Sequence, residues 1–224
     1  MRTAELIDAL TDLVLPRDCI GCGQPRARFC ESCIEGCADL QIHRPTPPPE
    51  GFPVCAAFGQ YAGALRAAII AVKERNRRDL AVPLADLLYD AVRAVMPDTC
   101  SPVLVVPIPS NAAAARERGG DHMLRIARAI SRDPAFRIAQ VLHPARHSVD
   151  AVGLGRLERV ATRSHAFAVR RDASRIIEGK HLVIVDDLVT SGATLAAASG
   201  VLRRAGAASV RAATVAATAR LRDP

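Results

Sequence analysis

The run Leu182-Val-Ile-Val-Asp-Asp-Leu-Val-Thr-Ser-Gly-Ala-Thr-Leu195 constrains this chain more than any other feature. Its uninterrupted apolar start predicts a strand buried on both faces, as in parallel sheets covered by helices. The strand delivers two adjacent carboxylates, Asp186 and Asp187, and a turn of small residues follows: Thr190, Ser191, Gly192, Ala193 and Thr194. A helical pattern then begins. In open α/β sheets, ligands bind at the carboxyl ends of the strands. Amides at a helix N-terminus hold anions, helped by the helix dipole and nearby hydroxyls. Gly192 lets the backbone approach a ligand closely.

An anion seat beside two carboxylates makes chemical sense if a single ligand has both a phosphate and hydroxyl groups. A sugar phosphate does, with its phosphate in the turn and its ring hydroxyls donating to Asp186 and Asp187. A Walker-type loop is excluded, because Gly-x-x-x-x-Gly-Lys is absent. Gly153-Leu-Gly155 lacks a third glycine and follows no strand, which argues against a dinucleotide fingerprint.

The surrounding pattern is that of an α/β domain with a parallel sheet flanked by helices. Leu65, Ala68, Ile69 and Val72 mark one helix face, and Leu84, Leu87, Leu88, Ala91, Val92 and Val95 mark a second. Pro102-Val-Leu-Val-Val-Pro107 is a buried strand, and Met123, Leu124, Ala127 and Ile130 predict the helix after it. Leu195 to Ala205 is a helix stopped by Gly206, and Ser209 to Val215 is a third strand. Strand, helix and strand in these lengths form a βαβ unit.

Ahead of this domain (54–224) lie a proline-rich bridge (44–53) and an N-terminal module (1–43). The bridge cannot continue a helix or a central strand and reads as an extended linker. The module opens with an amphipathic helix marked by Leu6, Ile7, Leu10, Leu13 and Val14. It continues with Cys19-Ile-Gly-Cys22 and Cys30-Glu-Ser-Cys33, two pairs that can present four thiolates to one zinc ion. A redox dithiol or a disulfide pair are the competing readings, and Cys37 is an alternative ligand. Cys55 and Cys100 read as buried apolar residues.

Half of the 224 residues are apolar, which excludes wholesale disorder. With no Trp, two Tyr and five Phe, the chain offers few platforms for stacking bases. The thirteen Arg between Arg116 and Arg175 outnumber the acidic residues there by seven, matching the formal charge of +7 for the whole chain. Such a cluster attracts polyanions, or is a solvated surface in an arginine-rich chain. Glu5, Asp8 and Asp12 rule out a signal peptide at the start, and no apolar run is long enough to span a bilayer. A cytoplasmic protein with reduced thiols is expected.

Val183–Thr194 resembles the phosphoribosyl diphosphate (PRPP) signature of type I phosphoribosyltransferases. The order of the other features extends the likeness along almost the whole chain. It runs from the Cys-x-x-Cys pairs through Tyr61-Ala-Gly-Ala-Leu-Arg66 with Lys73, Val106-Pro-Ile-Pro109 and Arg116-Glu-Arg-Gly119 to the terminal signature. That order is similar to the competence protein F (ComF) family. The resemblance implies a type I phosphoribosyltransferase-like fold that binds PRPP, or another ribose-5-phosphate ligand, together with magnesium. Asp186 and Asp187 would hold the ribose, Thr190–Thr194 the 5-phosphate, and Pro107, Ile108, Pro109 and Ser110 would face pyrophosphate with Arg118 nearby. The family further implies a cytosolic protein linked to DNA uptake, with DNA or other uptake proteins as partners.

This sequence departs from the family pattern at Gly120 and Asp121, where an aromatic and an Asn are usual, and at Arg159-Val-Ala-Thr162. The Gln usual around Asp150–Leu154 is also missing. Three functions are compatible with these residues. They are transfer of a phosphoribosyl group to a nucleobase-like acceptor, a non-enzymatic DNA-handling accessory, and a sensor of PRPP or a nucleotide.

Overall fold

A computed structural model describes residues 18–96, 102–110, 120–145 and 166–219. The expected first helix, Cys100, Arg118 and the departures between 150 and 162 lie outside the described residues.

After the cysteine knuckles, α1 (Glu31–Glu35) leads to β1 (Gln41–His43) and then β2 (Cys55–Gln60). Two long helices follow, α2 (Gly63–Glu74) and α3 (Ala81–Val95), ahead of β3 (Val103–Pro107). Next come α4 (His122–Ile130), β4 (Phe136–Ile138), β5 (Leu142–Pro144) and β6 (Phe167–Val169). The chain ends with α5 (Ser174–Ile177), β7 (His181–Val189), α6 (Ala193–Arg204) and β8 (Ser209–Ala217).

Six strands form one sheet in the order β1-β2-β8-β7-β3-β4, parallel throughout except for antiparallel β1 at the edge. β5 and β6 form a separate antiparallel pair. Helices cover both faces. The side chains of Val183 and Val185 pack in one core with α2, α3 and α4, and Leu182 and Ile184 pack in the other with α6. This is why β7 reads as apolar without alternation: each of its faces meets a helix.

β3 and β7 are neighbours, but the helices that follow them lie on opposite faces, α4 on one and α6 on the other. Such a reversal opens a crevice at the carboxyl ends of the two strands.

The knuckles sit against α2. A Cβ placed on Gly21 would come within 2.7 Å of Ala64 Cβ and of Cys33 Sγ, so only glycine fits there. Phe29 and Cys30 join the core beneath α2 and α3, and β1 adds a strand to the main sheet. The proline-rich segment then crosses to the start of α6. Phe52 and Pro45 lie so close to Gly192 that a Cβ there would be 2.5 Å from the Phe52 ring and 2.9 Å from Pro45. No helix among the described residues is long and apolar enough to cross a membrane.

Candidate functional site

β7 carries Asp186 and Asp187 toward its C-terminal end and continues to Val189, two residues beyond the second carboxylate. Consecutive strand residues face opposite sides of a sheet. Asp187 therefore shares the side of Val183 and Val185, and Asp186 that of Leu182 and Ile184. The pair that reads as one unit in the sequence is divided by the strand.

Asp187 is buried, with 3% of its surface exposed, and both of its oxygens are engaged. Lys73 Nζ, from the last turn of α2, donates to Oδ1 at 2.8 Å. His122 Nε2, from the first residue of α4, lies 2.8 Å from Oδ2. Burial pushes the Asp187 carboxyl up, but the His122 hydrogen bond and the Lys73 ammonium outweigh it and hold the group below the usual range. An ionised carboxylate only accepts, so His122 donates from Nε2. Its other ring nitrogen, Nδ1, lies 3.2 Å from Ser110 Oγ.

Ser110 belongs to the segment that follows β3, and Asp121 ties that segment to α4. Asp121 Oδ2 accepts from the Ser110 amide at 2.8 Å and Oδ1 from its hydroxyl at 3.2 Å. The same carboxylate caps α4 by accepting from the amides of Met123 and Leu124. The chain of contacts runs from Lys73 through Asp187, His122 and Ser110 to Asp121. It joins the end of β7 to Pro107–Ser110, where Ile108 continues the ladder by donating to the Val185 carbonyl. Pro107 and Ile108 are buried, while Pro109 and Ser110 are partly exposed.

Asp186 has a different setting. Its Oδ1 accepts from the Asp187 amide at 2.9 Å. Withdrawal from water, then the charge of Asp187, push its carboxyl up to about 8. Its partner across the ladder is Thr214, a buried residue whose hydroxyl also meets the Cys55 thiol.

The loop after β7 has Thr190, Ser191 and Thr194 exposed and Gly192 buried. Gly192 is the N-cap of α6 at φ 76°, in the left-handed region where a side chain is strained. No side chain caps this helix, and its first intrahelical bond runs from the Ala196 amide to the Gly192 carbonyl. The preceding amides of its first turn have no intrahelical acceptor and point toward the loop.

The second centre is the sulfur cluster. The Sγ atoms of Cys19, Cys22, Cys30 and Cys33 all lie within 4.8 Å of one another, with Cys22 and Cys30 3.6 Å apart. Four ligands at the zinc–sulfur distance of about 2.3 Å in a tetrahedron place their sulfurs about 3.8 Å apart. Amides of Gly21 and Cys30 point at Cys19 Sγ at 3.4 and 3.3 Å, as suits a thiolate. Burial alone would raise the Cys19 thiol, yet backbone amides, that of Cys22 foremost, lower it to about 6. Cys33 is pushed up to about 12, chiefly by its contact with Cys30. A divalent cation would relieve this crowding of thiols. The four residues fit zinc, and Cys37 stands outside the set.

Sequence reasoning missed His122 entirely and treated Asp121 only as a departure from a family pattern. A usable signal was present, since an Asp-His pair immediately ahead of an apolar helical pattern is a cap followed by an inward-facing first-turn residue. Lys73 stood in view as one of only two lysines, but nothing in the sequence pairs it with Asp187.

Residues 123–224 match the family model described as phosphoribosyl transferase domain. Solved structures with similarity include hypoxanthine phosphoribosyl transferase from Trypanosoma cruzi. It is 16% identical over 62% of this chain and 64% of that one, with a TM-score of 0.37. The Staphylococcus aureus hypoxanthine phosphoribosyltransferase is 16% identical over 63% of each chain, with a TM-score of 0.33. An asparagine mutant from an analysis of an invariant aspartic acid in HPRTs is 16% identical over 62% of this chain, with a TM-score of 0.36. The match spans 65% of that last protein, so the chain covers just under two-thirds of its length. No curated protein matches by sequence. The fold is α/β and type I phosphoribosyltransferase-like, with helices flanking a largely parallel sheet and a four-cysteine cluster near the N-terminus.

Proposed function

We propose that this protein binds PRPP or a related ribose-5-phosphate ligand at the crevice between β3 and β7, and transfers the phosphoribosyl group to a nucleobase-like acceptor. The observation that carries this reading is the convergence of three parts on one end of the sheet. They are the Asp186–Asp187 pair, the uncapped N-terminus of α6 and the Pro107–Ser110 segment.

The 5-phosphate is held by the amides and hydroxyls of Thr190–Thr194, far from the reacting bond, where binding energy serves to position the sugar. Asp186 accepts from the ribose hydroxyls and, once ionised, stabilises the positive charge that develops on the ring as the bond from C1 to pyrophosphate breaks. The acceptor nitrogen then bonds to C1 as pyrophosphate departs, and the proton it carried passes to solvent. Asp187 keeps its charge through Lys73 and His122, and through His122 and Ser110 it positions the segment on the pyrophosphate side. Arg118 is the candidate for neutralising the leaving group.

Magnesium is a hard cation that uses few protein ligands and keeps several waters. Asp186 fits as its one protein carboxylate, because both Asp187 oxygens are already taken by Lys73 and His122. The ion would supply charge neutralisation for the pyrophosphate. Zinc at Cys19, Cys22, Cys30 and Cys33 has a structural role, because all four coordination positions are taken by protein.

Within the phosphoribosyltransferase class we place the chain with the ComF-type proteins. The reading rests on the order of the cysteine pairs, Lys73, the Pro107–Ser110 segment and the terminal signature along the chain. A cytosolic role in DNA uptake belongs to the same proposal.

Isothermal titration with PRPP and magnesium tests the ligand. Binding should be lost in Asp186→Asn and should survive in an exposed control such as Arg204→Ala. Pyrophosphate released on adding a panel of nucleobases would identify the acceptor. PRPP binding without turnover would indicate a sensor. Salt-sensitive DNA binding, indifferent to Asp186→Asn and without PRPP binding, would overturn the reading in favour of an accessory.

A further inference from the structure

A hollow of about 550 Å³ lies on the α6 side of the sheet, between the β3–β4 edge and α5. Its volume falls within the roughly 300–1,000 Å³ of small-molecule sites. It is separate from the crevice described above. Leu104 in its wall pairs with Leu182, and Asp186 stands four residues further along β7, about 13 Å away at the rise of a strand.

Its lining has two parts. Leu104, Ile138, Val141, Ala173 and Ile176 give it an apolar floor. Ile176 is 47% exposed, one of only four large apolar side chains so open among the described residues. Around this floor stand Arg137, Arg170, Arg175 and Lys180, against a single carboxylate, Asp172. Asp172 reaches Arg170 only at 3.9 Å and both side chains are mostly in solvent, so it compensates little. Arg137, Arg175 and Lys180 form no ion pair among the described residues. Three of the four cations come from the arginine-rich stretch noted in the sequence, and the phosphoribosyl site uses none of these three.

A concave apolar surface ringed by net positive charge suits an organic anion with a flat body. Guanidinium groups pair with phosphate oxygens and stack on aromatic planes. The Gln140 amide at the wall offers a donor and an acceptor together, as the edge of a base requires. We propose that this hollow is a second binding site, distinct from the crevice, that takes a nucleoside phosphate.

The test is calorimetric titration of the full chain with the four ribonucleoside monophosphates and with inorganic pyrophosphate, at physiological salt. It compares the wild type with Arg137→Glu/Arg175→Glu and with Asp186→Asn. Both arginines are exposed, and an unchanged melting temperature would show that the double variant folds. In the Asp186→Asn background, where the crevice is disabled, at least one nucleotide should still bind saturably, and about tenfold or more weakly once Arg137→Glu/Arg175→Glu is added. Pyrophosphate should bind at least about tenfold more weakly than that nucleotide. The proposal is overturned if no nucleotide binds below about 1 mM, if charge reversal has no effect, or if Asp186→Asn removes the binding. Pyrophosphate binding as tightly as the nucleotide would overturn it, as would binding seen only with an oligonucleotide. Because the crevice and the hollow are tested by different variants, this proposal and the phosphoribosyl reading fail independently.

Discussion

His122 Nε2 stands 2.8 Å from Asp187 Oδ2, and this contact fastens the second carboxylate of the β7 pair to the helix that follows β3. His122 is 6% exposed and Asp187 3%, so neither can turn to water if the other is removed. Lys73, whose side chain is 37% exposed, can.

An ordering of stabilities follows. His122→Ala should cost about 3 kcal/mol, since it strands a buried carboxylate and leaves a space, whereas Lys73→Met should cost about 1 kcal/mol. His122→Gln, which can still donate to Asp187, should recover most of the loss. Urea denaturation of the three variants measures this. Equal losses for His122→Ala and Lys73→Met would show that burial does not govern the network.

Asp186 makes the stability of the fold depend on pH. Its folded-state value of about 8 exceeds the unfolded value near 3.8, so folding takes up a proton between those limits. Stability therefore declines as pH rises from about 4 to about 8 and is flat above, by an amount on the order of 1–3 kcal/mol. Asp187, held below its usual range, acts oppositely and only in acid, where stability is lost as its carboxylate is protonated. Asp186→Asn should flatten the slope between pH 5 and 8 and raise the melting temperature of the ligand-free protein at pH 8. A scan of melting temperature against pH for both proteins checks it.

At Gly192, two penalties act together. An Ala there would hold a side chain at φ 76° and drive its Cβ to 2.5 Å from the Phe52 ring. Gly192→Ala should destabilise by about 2–3 kcal/mol and abolish PRPP binding. Adding Phe52→Ala removes the clash but not the backbone strain, so the double variant should recover only part of the stability. A double-mutant cycle by thermal unfolding separates the two contributions.

The sulfur cluster predicts about one equivalent of zinc in protein purified without added metal. A strong chelator, or Cys30→Ser, should lower the melting temperature of the whole domain, because Cys30 and Phe29 are part of the core under α2 and α3. Metal analysis and calorimetry test this, and a metal-free protein that melts unchanged would contradict it.

The parallel sheet, its covering helices and the four-cysteine knuckles were legible in the chain because each depends on local pattern. β7, α6 and β8 follow from runs of apolar residues punctuated by Gly192 and Gly206, and the thiolate set follows from two Cys-x-x-Cys spacings. β1, β4, β5 and β6 were not legible. Each is three residues long and owes its form to a neighbouring strand rather than to its own pattern.

What the amino-acid order determined by itself was that two carboxylates and a glycine-opened helix start would meet at the end of one buried strand, since residues that close in the chain cannot be far apart. Only the tertiary structure decided that both oxygens of Asp187 are engaged by distant side chains, whereas Asp186 Oδ1 accepts from the neighbouring backbone amide. That outcome depends on Lys73 and His122, 114 and 65 residues away along the chain. It also depends on the pleat, which sends neighbouring side chains to opposite faces and so into different surroundings. The Pro45–Phe52 stretch, which reads as a tether, becomes a cover over Gly192 for the same reason: contact with a distant segment is a property of the fold and leaves no periodicity in the sequence.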